Sequence, residues 1–339
     1  LEGRPVSPGD DSYYDLPGRS TAVASLYEHC VRAIRHALRF GAHGLPLIGS
    51  GDWNDGMNRI GIEGRGESVW LAFFLYDVLR RFAEVAAAYG DPSFAEFCRG
   101  EGARLHQAIE QHGWDGAWYR RAYFDDGTPL GTAGGVECRI DSISQSWSVL
   151  SGAADEKRAQ QAMQSVDQHL VRRDDALIRL LDPPFDKAPL DPGYIRGYVP
   201  GVRENGGQYT HGAIWAAMAF AALGDRTRAW ELTTMINPLN HARSAAGVAT
   251  YKAEPYVLAA DIYALAPHTG QGGWSWYSGS AGWMYRLLLE SLLGLRLENG
   301  KLHFAPCLPP DWPGFELSYR YRATLYRIDI VQMAEGAMV

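Results

Sequence analysis

Cysteine is scarce in this sequence. Its 339 residues hold four, Cys30, Cys98, Cys138 and Cys307, all isolated, with no Cys-x-x-Cys pair. That excludes a disulfide framework and a zinc knuckle, and it suggests buried free thiols in a reducing, cytoplasmic compartment. Long apolar runs are also missing. The longest, near 70–79 and 213–223, fall well short of the ~20 residues a membrane span needs. Concentrated positive charge is absent too: net charge is −7 with Lys and Arg scattered, which argues against a nucleic-acid surface. No Gly-Lys-Ser/Thr phosphate loop occurs, and no βαβ unit surrounds the glycine-rich stretches, so nucleotide binding is not suggested. The start, Leu1-Glu2-Gly3-Arg4-Pro5, is polar and lacks Met, and reads as the middle of something longer.

An apolar fraction of 46% and a charged fraction of 21% are ordinary for a globular protein, and the length suffices for one large or two modest domains. Trp and Tyr are plentiful, at 11 and 18. Residues 1–19 are Pro-, Gly- and Asp-rich and read as a linker or loop. Ser20 reads as the cap of a helix carrying Val23, Leu26, Cys30, Ile34 and Leu38, stopped by Gly41. Apolar periodicity predicts further helices near 67–89, 92–112, 141–150, 155–170, 210–223, 226–236, 255–265 and 280–293. Asp-Gly turns between aromatic stretches predict a short hairpin within 113–135, and Pro183-Pro184 and Pro189 to Pro192 forbid regular structure in the next loop. From 295 the period changes to two, with an Asn299-Gly300 turn, which predicts antiparallel strands. The fold class is therefore mainly α: a partial (α/α)6 toroid of paired helices over 20–294, with a small antiparallel β appendage over 295–339.

Three loops between helices carry chemistry. The first is Gly49-Ser50-Gly51-Asp52-Trp53-Asn54-Asp55-Gly56-Met57-Asn58. Its glycines permit a tight, shaped loop, and a Trp beside ionisable groups suits a sugar ring, which needs an apolar face and a polar rim. The same residues also read as an Asx-rich turn capping the next helix. A calcium loop fails, because Met57 holds the place of the sharp-turn glycine. The second, Arg203-Glu204-Asn205-Gly206-Gly207-Gln208-Tyr209-Thr210-His211, brings a carboxylate, an amide and an imidazole to a helix start, where the N–H groups and macrodipole favour an anion. A capping histidine satisfied by a backbone carbonyl is the other reading there. The third, from His268 to Ala281, is rich in glycine, hydroxyls and aromatics and opens the last helix.

Together these loops resemble the inverting disaccharide phosphorylases, the cellobiose and chitobiose phosphorylase family (glycoside hydrolase family 94), above all the phosphorylase-like C-terminal region of bacterial cyclic β-1,2-glucan synthases. The resemblance is carried by Gly51 to Asn58, Gly66-Glu67-Ser68-Val69-Trp70, Arg203 to Gly207 with Thr210-His211, Glu254-Pro255-Tyr256 and Trp276 to Ala281, and extends to Ser25–Cys30 and Pro306–Pro309. It implies Asp55 as general acid, Trp53 lining the donor sugar subsite and Glu204 holding sugar hydroxyls. His211, Ser278 and the Gly279 N–H would bind phosphate. Ser278 stands where the family often has Thr, so the hydroxyl survives.

The reaction implied is phosphorolysis of β-linked, and by the resemblance β-1,2-linked, glucooligosaccharides to α-glucose 1-phosphate. Phosphate would be co-substrate, with no cofactor and no metal. Phosphate is already an anionic nucleophile and needs only positioning, so one carboxylate suffices; Trp53, Asp52 and phosphate would raise the Asp55 pKa. The alternatives are an inverting hydrolase with Glu204 as base, its carboxyls roughly 6.5–9.5 Å apart, and a non-catalytic glucan-binding fragment. Family members carry a β-sandwich and further helices upstream of the acid, where only 54 residues stand here. The resemblance therefore implies an incomplete donor site and, as partners, the upstream β-sandwich and glycosyltransferase regions of a longer parent, itself anchored in the bacterial inner membrane. Neither nucleic acid nor direct membrane insertion by this segment is expected.

Overall fold

The computed structural model describes residues 3–5, 7, 16–298 and 300–333. The chain divides into two compact units, 1–39 and 40–339. The expected linker over 1–19 lies largely outside the described residues, as does the first residue of the Asn299-Gly300 turn.

Among the described residues the first unit holds one helix, α1 (Leu26–Ala37). It starts at a capping box, not at Ser20: the Glu28 N–H donates to Ser25 Oγ at 3.2 Å and the Ser25 N–H to Glu28 Oε2 at 2.8 Å. Both orphan donors are satisfied reciprocally, which Ser20, with no acidic residue three positions on, cannot offer. Val23 and Leu26, assigned to an apolar face from spacing, are 94% and 80% exposed.

The second unit is built from paired helices. α2 (Val69–Tyr89) packs on α3 (Pro92–Ala108), α4 (Ser142–Leu150) on α5 (Glu156–His169), and α6 (Thr210–Ala222) on α7 (Arg226–Ile236). α2, α4, α6 and α10 (Ser278–Arg286) pack in succession and form the inner layer. Composition explains the layering. α6 is apolar all round and buries ten of its thirteen residues, as an inner helix must. α5 buries Ala159, Ala162, Met163 and Val166, one stripe at helical spacing, and turns its remaining faces outward. Asp91 caps α3 ahead of Pro92, and Gly90 closes α2 in the left-handed region.

Short strand pairs pin the loops at one end of this layer. Glu67–Ser68, Ala122–Tyr123 and Pro129–Leu130 form a three-stranded sheet containing the expected hairpin. α2 consequently begins two residues later than its periodicity predicts. Gln208–Tyr209 pairs with Asp261–Ile262. That pairing overturns the helix expected over 255–265. An apolar run this short is ambiguous in period, and the glycines at 270, 272 and 273 let its backbone pair with the returning strand instead. Two short helices that periodicity did not flag precede it, α8 (Pro238–His241) and α9 (Ala245–Tyr251). The last helix opens at Ser278, two residues before its predicted start.

Beyond 294 the chain is β, with Leu295–Glu298 antiparallel to Lys301–Phe304 and Gly314–Tyr321 to Thr324–Val331. None of the four cysteines is in a disulfide; Cys98, Cys138 and Cys307 are buried and Cys30 is half-buried. Among the described residues no helix is long and apolar enough to cross a membrane.

Candidate active site

The loop before α2 is tightly constrained in conformation. Gly51 has φ +118°, and a Cβ there would lie 3.0 Å from the Asp55 Cα, so the turn admits only glycine without strain. The Asn54 N–H donates to Asp52 Oδ1 at 2.9 Å and the Gly56 N–H to Asn54 Oδ1 at 3.1 Å, opening a single 3₁₀ turn, Asp55–Met57. Met57 and Ile60 are fully buried against Ile195, Leu181 and Phe185. Asp55 itself is exposed at the head of that anchored turn.

A second short turn, Tyr194–Gly197, comes from the proline-rich loop that sequence reading left irregular. The Tyr194 N–H donates to Asn58 Oδ1 at 3.1 Å, and Gly193, at φ +119°, lets the two turns sit together. The Tyr194 hydroxyl faces the Asp55 carboxylate, and burial, then that carboxylate, push the phenol well above its ordinary range. Asp55 and Glu204 both bear on the Tyr198 hydroxyl, whose pKa burial raises first and these charges raise further. The loop bearing Asp55 and the second loop thus converge on one tyrosine pair.

Glu204 is 8% exposed, with Arg203 Nε 3.3 Å from its carboxylate. The Arg203 guanidinium lies between the Tyr198 and Trp274 rings, at 5.0 and 5.5 Å from their centroids. Its backbone N–H reaches Asp261 Oδ2 at 3.3 Å, and Asp261 also accepts from the Trp274 N–H at 3.1 Å. Burial raises the Asp261 carboxyl despite these donors. Tyr209, beside Glu204, is pushed up to about 12, again by burial first.

The third element is a cavity of about 210 Å³ lined by Tyr209, His211, Ala260, Tyr277, Ser278, Gly279 and Ser280. Two helices, α6 and α10, begin at its wall, and no side chain caps either. The positive ends of two macrodipoles therefore face one small space. Among the described residues His211 Nε2 is buried without a partner, and burial lowers its pKa to about 4. No backbone carbonyl among them accepts from the ring as a satisfied capping histidine requires. A Cβ on Gly279 would meet nothing within 4 Å, so this glycine leaves room in the cavity and is not forced by packing. Trp276, two residues before Ser278, holds φ +66° and donates from Nε1 to Glu254 at 3.1 Å.

Trp53 joins the parts. Its ring stands edge-on to Tyr209 and His211, with centroids at 5.5 and 5.4 Å, and tilted on Trp215 at 5.3 Å. All six residues singled out from sequence, Asp55, Trp53, Glu204, His211, Ser278 and Gly279, thus belong to one connected region.

Asp52 departs from expectation. It does not stand beside Asp55 as an exposed like charge: its side chain is fully buried and paired with Arg121. Burial opposes its charge, yet the guanidinium holds Asp52 below the usual carboxylate range. Tyr194, Tyr198, Arg203 and Asp261 were missed from sequence. Arg203 sits beside Glu204 in a stretch already marked, but Tyr194 and Tyr198 lie among prolines with no spacing to flag them.

The whole chain bears comparison with known proteins. Residues 3–294 match the glycosyl hydrolase 94 superfamily catalytic domain, and residues 295–333 match the glycosyl hydrolase family 65 C-terminal domain. The chain is 50% identical over 321 residues to cyclic β-(1,2)-glucan synthase NdvB of Rhizobium meliloti (strain 1021), covering 94% of this chain and 11% of that protein. It is 34% identical over 319 residues to solabiose phosphorylase of Paenibacillus borealis, covering 93% of this chain and 41% of the other. Among solved structures, a sialidase superposes with a TM-score of 0.60 at 12% identity, over 86% of this chain and 26% of that one, a likeness of fold alone. The chain thus spans under half the length of these curated relatives. Its paired helices and the loops meeting at Trp53 lie within the longer family match, and the chain belongs to the glycosyl hydrolase 94 superfamily.

Proposed function

We propose that this chain is the phosphorolytic part of a larger cyclic-glucan-synthase-like protein, cleaving β-1,2-linked glucooligosaccharides with inorganic phosphate and inverting the anomeric centre. One observation carries the reading: an exposed carboxylate, Asp55, is linked through the Trp53 ring to a cavity where two uncapped helix N-termini and an unpartnered imidazole meet. Asp55 donates its proton to the glycosidic oxygen as that bond to C1 breaks. A phosphate oxygen forms the new bond to C1 from the opposite ring face. The products are α-glucose 1-phosphate and a chain shortened by one residue, whose freed hydroxyl carries the proton.

Trp53 forms the floor of the donor sugar and Glu204 accepts from its hydroxyls. His211, the Ser278 hydroxyl and the Gly279 N–H hold phosphate. The Arg203 pair supports Glu204 as a hydroxyl acceptor and weighs against a general base, since a base must give up such a partner to take a proton. The match to two families that divide at 294/295 supports the boundary between a helical catalytic part and a β appendage.

The test is incubation of the full-length parent with β-1,2-glucooligosaccharide and phosphate. Phosphate-dependent formation of α-glucose 1-phosphate is the expected result. Release of free glucose at a rate indifferent to phosphate would overturn the proposal in favour of hydrolysis.

A further inference from the structure

Asp55 is exposed, but the ion pair from which its loop hangs is not. The side chains of Asp52 and Arg121 are both fully buried. Arg121 Nη1 lies 2.6 Å from Asp52 Oδ2 and Nη2 lies 2.7 Å from Oδ1, a two-pronged pair. The Ser68 hydroxyl donates to Oδ2 at 2.7 Å and the Asn54 N–H to Oδ1 at 2.9 Å. All four acceptor directions of the carboxylate are therefore used, which a buried charge requires if it is to stay charged. Such a group has one position.

Its partners are the inner helices. Ser68 caps α2, its Oγ accepting from the Leu71 N–H at 2.9 Å, and the Arg121 carbonyl accepts from the Val69 N–H at 3.2 Å. Arg121 Nε reaches Asp141 Oδ2 at 3.2 Å, while Asp141 Oδ1 caps α4 through the Ile143 N–H at 2.9 Å. One guanidinium thus ties the acid loop to the first turns of both α2 and α4. Lysine has no planar fork with which to do this.

We infer that Arg121, acting through Asp52, is a positioning residue that sets where the Trp53 ring and the Asp55 carboxylate stand against the inner helices. Asp52 is one residue from the ring and three from the acid, with a glycine-bounded turn between, so a shift at the pair is passed to both. This rests on Asp55 being the acid. A misplaced acid matters in proportion to how badly the leaving group needs a proton, whereas a loosened core harms every substrate alike.

The test uses the full-length parent with Asp55→Asn, Arg121→Lys and the near-isosteric Asp52→Asn. Each is assayed with inorganic phosphate on β-1,2-glucooligosaccharide and on 2,4-dinitrophenyl β-glucoside, whose leaving group departs unprotonated. Arg121→Lys and Asp52→Asn are expected to lower kcat on the oligosaccharide about 10²-fold with KM little changed. On the aryl glucoside they should lose only a few-fold, as should Asp55→Asn. Equal losses on both substrates, or an oligosaccharide kcat kept near wild type, overturn the inference. If Arg121→Lys does not fold, Asp52→Asn decides. If the wild type ignores the aryl glucoside, the basic limb of the kcat–pH profile replaces it: a limb displaced in the variants supports the positioning role, and an unmoved limb overturns it. Asp55→Asn with full oligosaccharide activity removes the acid assignment and this inference with it. An inactive Asp55→Asn beside a fully active Arg121→Lys removes only the role of Arg121.

Discussion

His211 enters the cavity as a neutral base, because burial among the Trp53, Trp215 and Trp283 rings penalises its charged form. Its folded pKa, about 4, lies below the ordinary value of 6.5. The folded chain therefore binds fewer protons than the unfolded one between those values. The stability this group contributes is complete above pH 6.5 and is lost as pH falls toward 4. A bound dianion reverses the preference, since it pays for the charge that burial forbids. The imidazole of His211, followed by NMR, should titrate near pH 4 in the free protein and move upward when phosphate is added. A titration unchanged by phosphate would overturn the proposed role of His211 in holding it. The same linkage predicts that the melting-temperature difference between wild type and His211→Phe shifts against wild type on acidification over this window.

At the scale of elements, Asp55, the proposed acid, heads a 3₁₀ turn held from below by a packed methionine and shaped from behind by a glycine. Met57 is fully buried, so Met57→Ala should destabilise the protein by about 2–5 kcal/mol, measured by chemical denaturation. Gly51→Ala acts differently. Its φ of +118° and the 3.0 Å approach to the Asp55 Cα make any side chain strained there, at about 1–3 kcal/mol. Because that strain falls on the turn itself, activity in the parent should fall by more than the loss of stability accounts for. Most of the helices behind this turn were legible from the chain. Asp91-Pro92, Asp155 and Gly90 marked their ends through local chemistry that neighbours cannot revoke. The segment 255–265 was not legible, since a short apolar run suits a helix or a strand, and the choice fell to its partner Gln208–Tyr209. Ser25 displaced Ser20 as the first cap because Glu28 completes the box.

At the scale of the whole molecule, the cavity proposed for phosphate is lined by residues between 209 and 280, within one compact unit. The chain covers only 41% of solabiose phosphorylase, one of the relatives to which it is similar. We therefore expect this chain alone to bind inorganic phosphate, read by calorimetry and abolished by His211→Ala with Ser278→Ala, while turnover requires the parent. Turnover by the isolated chain, or absence of phosphate binding, would contradict this division. Residue types, order and local turns already told that the chain is helical with a β tail, that Asp55 sits on a glycine-bounded loop, and that the His211 and Ser278 stretches each open a helix. These follow from backbone preferences and short-range hydrogen bonds, which act within a few residues. Only the tertiary structure decided that Asp52 turns inward to Arg121 some seventy residues away, that Tyr194 leaves a proline-rich loop to meet Asp55, and that Trp53 stands edge-on to His211. Such pairings form when packing brings distant segments into the same dry space, where an unpaired charge or ring edge is costly, and nothing in the local sequence announces the partner.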